Sequence, residues 1–440
     1  MSEPSHANKP RFFLDRVLGL ERHEYYAVAW SFIYFFCVLS AYYMLRSVRE
    51  TMAVEGGVQN VPWLFSSTFV VMLIAAPVFG WVASRFPRRK FLPWVYYFFV
   101  INILLFWFGF SYAIQNEMSF VWIGRAFFVW LSVFNLFVVS VFWSFMADIY
   151  TREQSRRLFG VISAGGSAGA LLGPLTTMSL VIPIGFENLL PISASLLLFG
   201  VYCISRLRRW VESEHQDEIT STMATARPLG GNPFGGITHV LRSRYLTAIS
   251  IGSIIASLLG TALYMFMAEL VGEAFTATDE RTRVFAFVDF ATNAMTMLVQ
   301  LLVVRHSVRY FGVGITLSLL PIFSAIGFAL IAINPAFLLI AIFQALRRAI
   351  GFGFSKPTND MLYSVVTAEE KYKSKNFIDT AVYRGGDLVG IWTVKALWGL
   401  GFAGISLVML PFALLWGAIA IWLGKAYRRR DREAKAGEPV

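Results

Sequence analysis

An all-α membrane protein, with twelve transmembrane helices as two six-helix bundles, is the fold class that this sequence of 440 residues predicts. Three observations carry the prediction. Twelve apolar runs of about 20 residues each, enough to cross a hydrocarbon core of roughly 30 Å, fall six and six on either side of a polar stretch at 206–245. The composition is 57 % hydrophobic and 15 % charged, against roughly 25 % charged for an ordinary soluble domain. The runs are continuously apolar, whereas barrel strands alternate, so helices are the remaining way to satisfy a backbone in lipid.

In chain order the expected spans are 26–45, 63–84, 91–110, 120–146, 158–182 and 186–205, then 246–270, 284–304, 312–333, 336–360, 377–398 and 401–424. They divide the chain into an N-terminal tail (1–25), a first bundle (26–205), a linker (206–245), a second bundle (246–424) and a basic tail (425–440). The first tail mixes Lys9, Arg11, Arg16 and Arg22 with Asp15, Glu21 and Glu24 and has no apolar stretch of its own, so the first run is expected to be an uncleaved span. The linker, acidic at Glu212–Glu218 and rich in Gly and Pro at Ala226–Gly236, is expected to be a flexible connector.

Lysine and arginine orient the chain. With the N-terminus inside, the tails and inner loops hold 28 of the 38 basic residues and the outer loops hold 4. The positive-inside rule then puts both termini in the cytoplasm of a multi-pass protein of the cytoplasmic (inner) membrane. The same asymmetry accounts for the net charge of +11 without a nucleic-acid partner. Cys37 and Cys203 lie inside apolar runs, which excludes a disulfide framework, and the five histidines lie in tails or loops without partners at ligand spacing. No metal, no cofactor and no enzymatic activity are expected, and the protein is expected to be monomeric.

The halves repeat weakly: Gly165-Gly166 followed by Gly169 recurs as Gly385-Gly386 followed by Gly390. On the fifth span Ser163, Gly166, Ala170 and Gly173 recur at close to helical spacing, which points to close helix packing rather than a phosphate cradle. Parallel six-helix repeats are the plan of major facilitator transporters, with the substrate site between the halves near midplane. The stretch Gly80-Trp-Val-Ala-Ser84-Arg85-Phe-Pro87-Arg88-Arg89 resembles the conserved-loop pattern G-x-x-x-D-R-x-G-R-R of that superfamily. Ser84 stands in place of Asp and Pro87 in place of the second Gly. The resemblance implies that Gly80, Arg85, Arg88 and Arg89 belong to a loop that braces one conformation.

Function is sought where charge lies inside apolar runs, since each such residue costs at least about 2.5–3.5 kcal/mol at midplane. Arg125, Arg347, Arg348, Arg384, Lys395, Asp289, Asp379 and Asp387 are such residues. Asp289, Asn293, Thr296 and Gln300 form one polar stripe on the eighth span; Gln344, Arg348, Gly351 and Ser355, with Arg347 beside them, form another on the tenth. Asp379, Tyr383, Asp387 and Lys395, with Arg384 adjoining, form a third on the eleventh. Two outcomes stay open for Asp379, Asp387 and Lys395: buried pairs that fix helix register, or a share in coupling. Arg347 and Arg348 have no obvious acid nearby in sequence, and guanidinium forks grip carboxylate or phosphate, so an anionic substrate is expected.

Three elements resemble the ATP/ADP translocase family, a divergent branch of the same group. Tyr43-Met-Leu45-Arg46-Ser-Val-Arg49-Glu50 is similar to its first-helix element, Val288-Asp289-Phe290 to a Gly-Asp-Phe stretch of its eighth helix, and Lys373-Ser-Lys375-Asn-Phe-Ile378-Asp379, with Arg384-Gly385-Gly386 beyond, to the opening of its eleventh. The family's Glu and Lys of the seventh helix would fall near Tyr264 and Ala268, and Glu269 is displaced from that place. The resemblance implies a carrier that exchanges a nucleotide or other phosphorylated anion by alternating access. The expected substrate-binding residues are Arg46, Arg49, Arg125, Arg347, Arg348 and Arg384; the expected coupling or ion-pair residues are Asp289, Asp379, Asp387 and Lys395. A proton-coupled symporter, an exporter or lipid flippase of the same fold, and a non-transporting receptor are the alternatives.

Overall fold

The computed structural model describes residues 21–85, 88–214, 237–300, 305–367, 370, 374–375 and 377–436. Residues 1–20 of the first tail, 215–236 of the linker, including its Gly- and Pro-rich stretch, and 437–440 of the last tail lie outside these residues. In chain order the long helices are α1 (Tyr25–Glu55), α2 (Val61–Arg85), α3 (Arg88–Gln115), α4 (Val121–Ile149), α5 (Arg152–Ile184) and α6 (Leu189–Glu214). A short helix at Ile237–Arg242 leads into α7 (Arg244–Ala274), α8 (Thr278–Val299), α9 (Arg305–Ile333), α10 (Phe337–Ile350), α11 (Tyr383–Ala396) and α12 (Gly401–Ala436).

Among the described residues, ten helices are long and apolar enough to cross a membrane. The two that fall short are α8 and α11, the helices that hold Asp289, Asp387 and Lys395. Their charge, which lowers their hydropathy, is the feature that directs attention to them as lining elements.

Several helices overrun their expected ends: α1 continues ten residues past the expected stop at 45, because Arg46, Arg49 and Glu50 are accommodated within the helix rather than in a loop. The break expected before 312 is visible as Gly312, whose φ of 73° bends α9. At the tenth span, expected to be continuous over 336–360, α10 gives way to a π-helical turn at Gly351–Ser355 before resuming at Lys356–Leu362. A second π turn, Ile378–Val382, opens α11. Widened turns of this kind occur frequently at functional sites; the first contributes Phe352 to the central cavity, and the second ends just before Tyr383, which lines it.

One buried apolar cluster draws only on residues between Ala27 and Trp210. A second is built mainly from α7 to α12, together with the ends of α1 and α2. Within the first half α5 lies against α1 so closely that side chains at Gly165, Gly166 and Gly169 would collide with Phe32, Phe35 and Phe36, and one at Gly173 would come within 2.7 Å of the Ser40 carbonyl. The second half repeats this contact: α11 lies on α7, with Gly386 against Ser257 and Gly390 against Thr261 and Leu258. The glycine repeat is therefore a pair of helix crossings, tightest at Gly165, Gly166, Gly169 and Gly390, while Gly386 leaves slightly more room and Gly385 has none of these contacts. α5 also starts firmly, with Thr151 and Gln154 forming a reciprocal capping box.

The end of the molecule opposite the linker is closed by bonds between the halves. Glu55 accepts from Arg281 at 2.9 Å and from Thr278 at 2.7 Å, and the Thr51 and Thr282 hydroxyls meet at 2.8 Å. The Phe186 amide donates to Asp279 at 2.8 Å, Lys395 Nζ to the Gln59 carbonyl at 3.1 Å, and Trp392 Nε1 to Ser66 Oγ at 3.0 Å.

Candidate functional site

A cavity of about 240 Å³ lies between the halves, lined by α1, α7, α8, α10 and α11, with Phe65 of α2 and Phe352 of the Gly351–Ser355 turn. Its volume is below the roughly 300–1,000 Å³ of typical ligand pockets, so a small solute suits it in this state. Six formally charged side chains line it: Arg46, Glu50, Asp289, Arg347, Arg348 and Asp387.

Asp289 is the hub. Its Oδ1 accepts from Arg348 Nη1 at 2.8 Å and its Oδ2 lies 3.5 Å from Arg46 Nε, so one carboxylate from α8 ties α10 to α1. Arg46 also reaches Glu50 one turn along α1, at 3.7 Å. Arg49, three residues from Arg46, points elsewhere: its guanidinium stacks 3.8 Å over the Phe128 ring, donates to the Phe128 carbonyl and pairs with Glu50 at 3.2 Å. It supports the wall without lining the cavity.

Arg347 differs from these. It is buried, with Nε donating to Ser324 Oγ at 3.1 Å and Nη2 to the Ala256 carbonyl at 2.8 Å. Among the described residues no carboxylate lies within ion-pair distance of it. Its Nη1 lies beside Gly260, where an added Cβ would be 3.4 Å away, and both residues line the cavity. The guanidinium is thus held by two neutral acceptors and aimed at open space. The adjacent pair predicted on the tenth span does reach the cavity, although neighbouring helical residues point about 100° apart, because Arg347 turns toward α7 and Arg348 toward α8.

Asp387 accepts a short hydrogen bond from Ser257 and pairs with Arg384 at 3.5 Å, so the Arg384 guanidinium is occupied beside the cavity rather than lining it. The eleventh-span stripe does not act as one unit. Asp379 sits at the linker end paired with Lys356 at 3.2 Å, while Lys395 lies at the closed end on the Gln59 carbonyl and against the Trp392 ring. Neither reaches Asp387, since the stripe runs the length of the helix and its members meet different neighbours.

On α8, Asp289 lines the cavity, whereas Asn293 donates to the Ala170 carbonyl and Gln300 to the Phe352 carbonyl. Arg125 also lies away from the cavity. It is in the first turn of α4, donating to the Gly56 carbonyl at 3.3 Å with Trp122 stacked 4.5 Å away. In the loop resembling the superfamily pattern, Gly80 lies within α2 and Arg85 ends it, its guanidinium 5.7 Å from the Trp81 ring. Phe86 and Pro87 and the side chains of Arg88 and Arg89 lie outside the described residues, as does Lys373. The structure also groups the near neighbours Glu21, His23 and Glu24, contrary to the expectation that the histidines lack partners at ligand spacing. Glu24 there is engaged by Arg157 at 2.8 Å, so the group anchors the start of α1 to α5.

Sequence reasoning missed the wall that α7 contributes. Ser257, Thr261 and Tyr264 recur at i, i+4 and i+7, with Gly260 between them, and all four line the cavity. Their pattern was present but carried no formal charge.

The family model described as Major Facilitator Superfamily matches residues 30–390. A curated relative, ADP,ATP carrier protein 2 of Chlamydia pneumoniae, is 21 % identical, with 92 % of this chain and 89 % of that protein covered. Among solved structures, a bacterial homologue of the iron transporter ferroportin in an inward-facing state superposes with a TM-score of 0.67 at 11 % identity, covering 90 % of this chain and 98 % of that one. The nucleoside transporter NupG superposes with a TM-score of 0.57 at 12 % identity, covering 93 % of this chain and 99 % of that one.

Proposed function

The chain belongs to the Major Facilitator Superfamily, and on that premise we propose that it moves a small anionic solute across the membrane by alternating access, gripping it at Arg347. It is a multi-pass membrane transporter and not an enzyme. The observation that carries the anionic reading is the buried Arg347, which has neutral acceptors on two nitrogens and a third facing the cavity. Burying a cation without a counter-charge costs several kcal/mol, roughly, so its presence is best explained by an anion that arrives with each cycle. Arg46 and Arg348, already shared with Asp289, steer that anion and are released to it as Asp289 shifts.

The likeness to an ADP,ATP carrier supports a phosphorylated or nucleotide-like cargo, and we take its movement to be by exchange. The closed end opposite the linker fits a state open toward the linker, which the positive-inside asymmetry assigns to the cytoplasm. A second reading, proton symport, draws on Asp387, a cavity carboxyl held by Ser257 and Arg384. Six formally charged side chains in the lining speak against a lipid or other wholly apolar cargo.

The test is reconstitution of the purified protein in liposomes loaded with unlabelled nucleotides, phosphate, sugar phosphates or carboxylates, followed by uptake of the labelled counterpart. Anion counterflow that Arg347→Gln abolishes supports the reading. Uptake insensitive to Arg347→Gln removes it.

A further inference from the structure

The cavity contains more acceptors than a simple anion could use. Glu50 has Oε1 engaged by Arg49 and Arg46, but its Oε2 is buried and has no hydrogen-bond partner, the side chain being 9 % exposed. Gln344 Oε1 is buried and unbonded in the same way. The buried Tyr264 hydroxyl lies close enough to the Glu50 carboxylate to interact with it, short of a well-formed hydrogen bond. All three residues line the one cavity that Arg347 faces. A buried acceptor left unmade is costly, and such groups call for a specific explanation.

The lining also carries both signs: three guanidinium groups (Arg46, Arg347, Arg348) and three carboxylates (Glu50, Asp289, Asp387), with Arg49 and Arg384 paired to Glu50 and Asp387 from just outside it. A solute that carries both signs finds a partner for each.

We infer that the cargo is a compact amphoteric solute, whose phosphate or carboxylate meets Arg347 while an amino or ammonium nitrogen donates to Glu50 Oε2 and the Gln344 amide oxygen. This rests on the anionic reading above and adds the second recognition element. Glu50 acts by contact with the cargo nitrogen, and its own position is fixed by Arg49, which Phe128 holds in place. The neutral acceptors Ser324 and Ala256 fix Arg347 on the other side.

The experiment compares amine-bearing anions with analogues that lack the nitrogen: phosphoethanolamine with ethyl phosphate, glutamate with glutarate, and adenosine 5′-monophosphate with purine riboside 5′-monophosphate. Binding is read from the rise in unfolding temperature of the purified full-length protein across a titration, and transport from counterflow in liposomes. In at least one pair the amine-bearing member is expected to bind about tenfold more tightly or better, the scale of one hydrogen bond to a charged group. Glu50→Gln is expected to collapse that ratio toward one, and Arg347→Gln to weaken both members together. Equal binding within every pair by the unmodified protein overturns the inference and leaves the anionic reading standing. If no anion stabilises the protein, or Arg347→Gln changes nothing, both fall. Should Glu50→Gln fail to fold, the pair ratios of the unmodified protein decide.

Discussion

Arg46 of α1 and Asp289 of α8 meet at 3.5 Å across the boundary between the two halves, and the same carboxylate takes Arg348 of α10 at 2.8 Å. The Asp289 side chain is 3 % exposed, so water does little to screen it. Asp289→Asn removes the charge the two arginines share and leaves them facing one another. Removing one partner of a buried pair costs about 3–5 kcal/mol, so the variant should unfold at a clearly lower temperature in detergent. Adding Arg46→Gln should recover part of the loss, because the repulsion goes with it. Strictly additive losses in that double-mutant cycle would remove the pair from the account.

Arg347 and Arg125 separate a cargo contact from a structural one. Arg347 lines the cavity, whereas Arg125 lies away from it, on the Gly56 carbonyl and the Trp122 ring. A charge-assisted hydrogen bond is worth about 1.5–3 kcal/mol, so Arg347→Gln should lower anion uptake by roughly 10- to 150-fold. Arg125→Gln should leave the concentration dependence of uptake near that of the unmodified protein. Equal losses in the two variants, measured as initial rates over a substrate range, would count against the assignment.

That contrast also marks how far the sequence could be read. The twelve runs, the glycine repeat and the intramembrane charges all follow from hydropathy and helical spacing, and the helix crossings they imply are present at Gly166 and Gly386. What spacing could not supply was the partner of each charge. Arg347 and Arg348 are adjacent and chemically identical, yet one meets Asp289 and the other only Ser324 and Ala256, because α7, α8 and α9 arrive from distant parts of the chain. Arg125 lies near the start of the fourth span in sequence and structure alike, and spacing could not show that the Gly56 carbonyl and the Trp122 ring are its neighbours. The uncharged wall of Ser257, Thr261 and Tyr264 had no cost of insertion to betray it.

Asp387 discriminates exchange from proton coupling. It lines the cavity on Ser257 and Arg384. Exchange requires only a loaded site, so Asp387→Asn should retain counterflow in liposomes without a pH gradient. Accumulation driven by an imposed pH gradient should be no greater in the unmodified protein than in the variant. Gradient-driven accumulation that disappears in Asp387→Asn would instead favour the symport reading.

Glu187, in the turn between α5 and α6, gives a pH dependence at the closed end. Burial, and then the charge of Asp279, push its carboxyl above the ordinary range. A carboxyl whose folded pKa is raised binds its proton more tightly when folded. Its contribution to stability is therefore complete below the unfolded value of about 4.3 and is lost as pH rises through the folded value. Glu187→Gln should remove this component, so the gap in unfolding temperature between variant and unmodified protein should widen in the variant's favour as pH rises from about 4 toward neutrality. A gap that does not change with pH would exclude Glu187 as a contributor.

Thr51 and Thr282 allow the closed end to be locked. Their hydroxyls meet at 2.8 Å between α1 and α8, beside the Glu55–Arg281 pair. Alternating access requires this contact to break each time the site opens away from the linker. Cysteines at both positions, in a background with Cys37 and Cys203 replaced by Ser, put two thiols where a bridge between the halves can form, since a disulfide needs Cα atoms about 4.4–6.8 Å apart. Oxidation should stop counterflow, and reduction should restore it, with each single-cysteine variant unaffected. Full exchange by the oxidised, crosslinked protein would mean that the halves need not part at Thr51 and Thr282, and the rocking motion assigned to them would have to be abandoned.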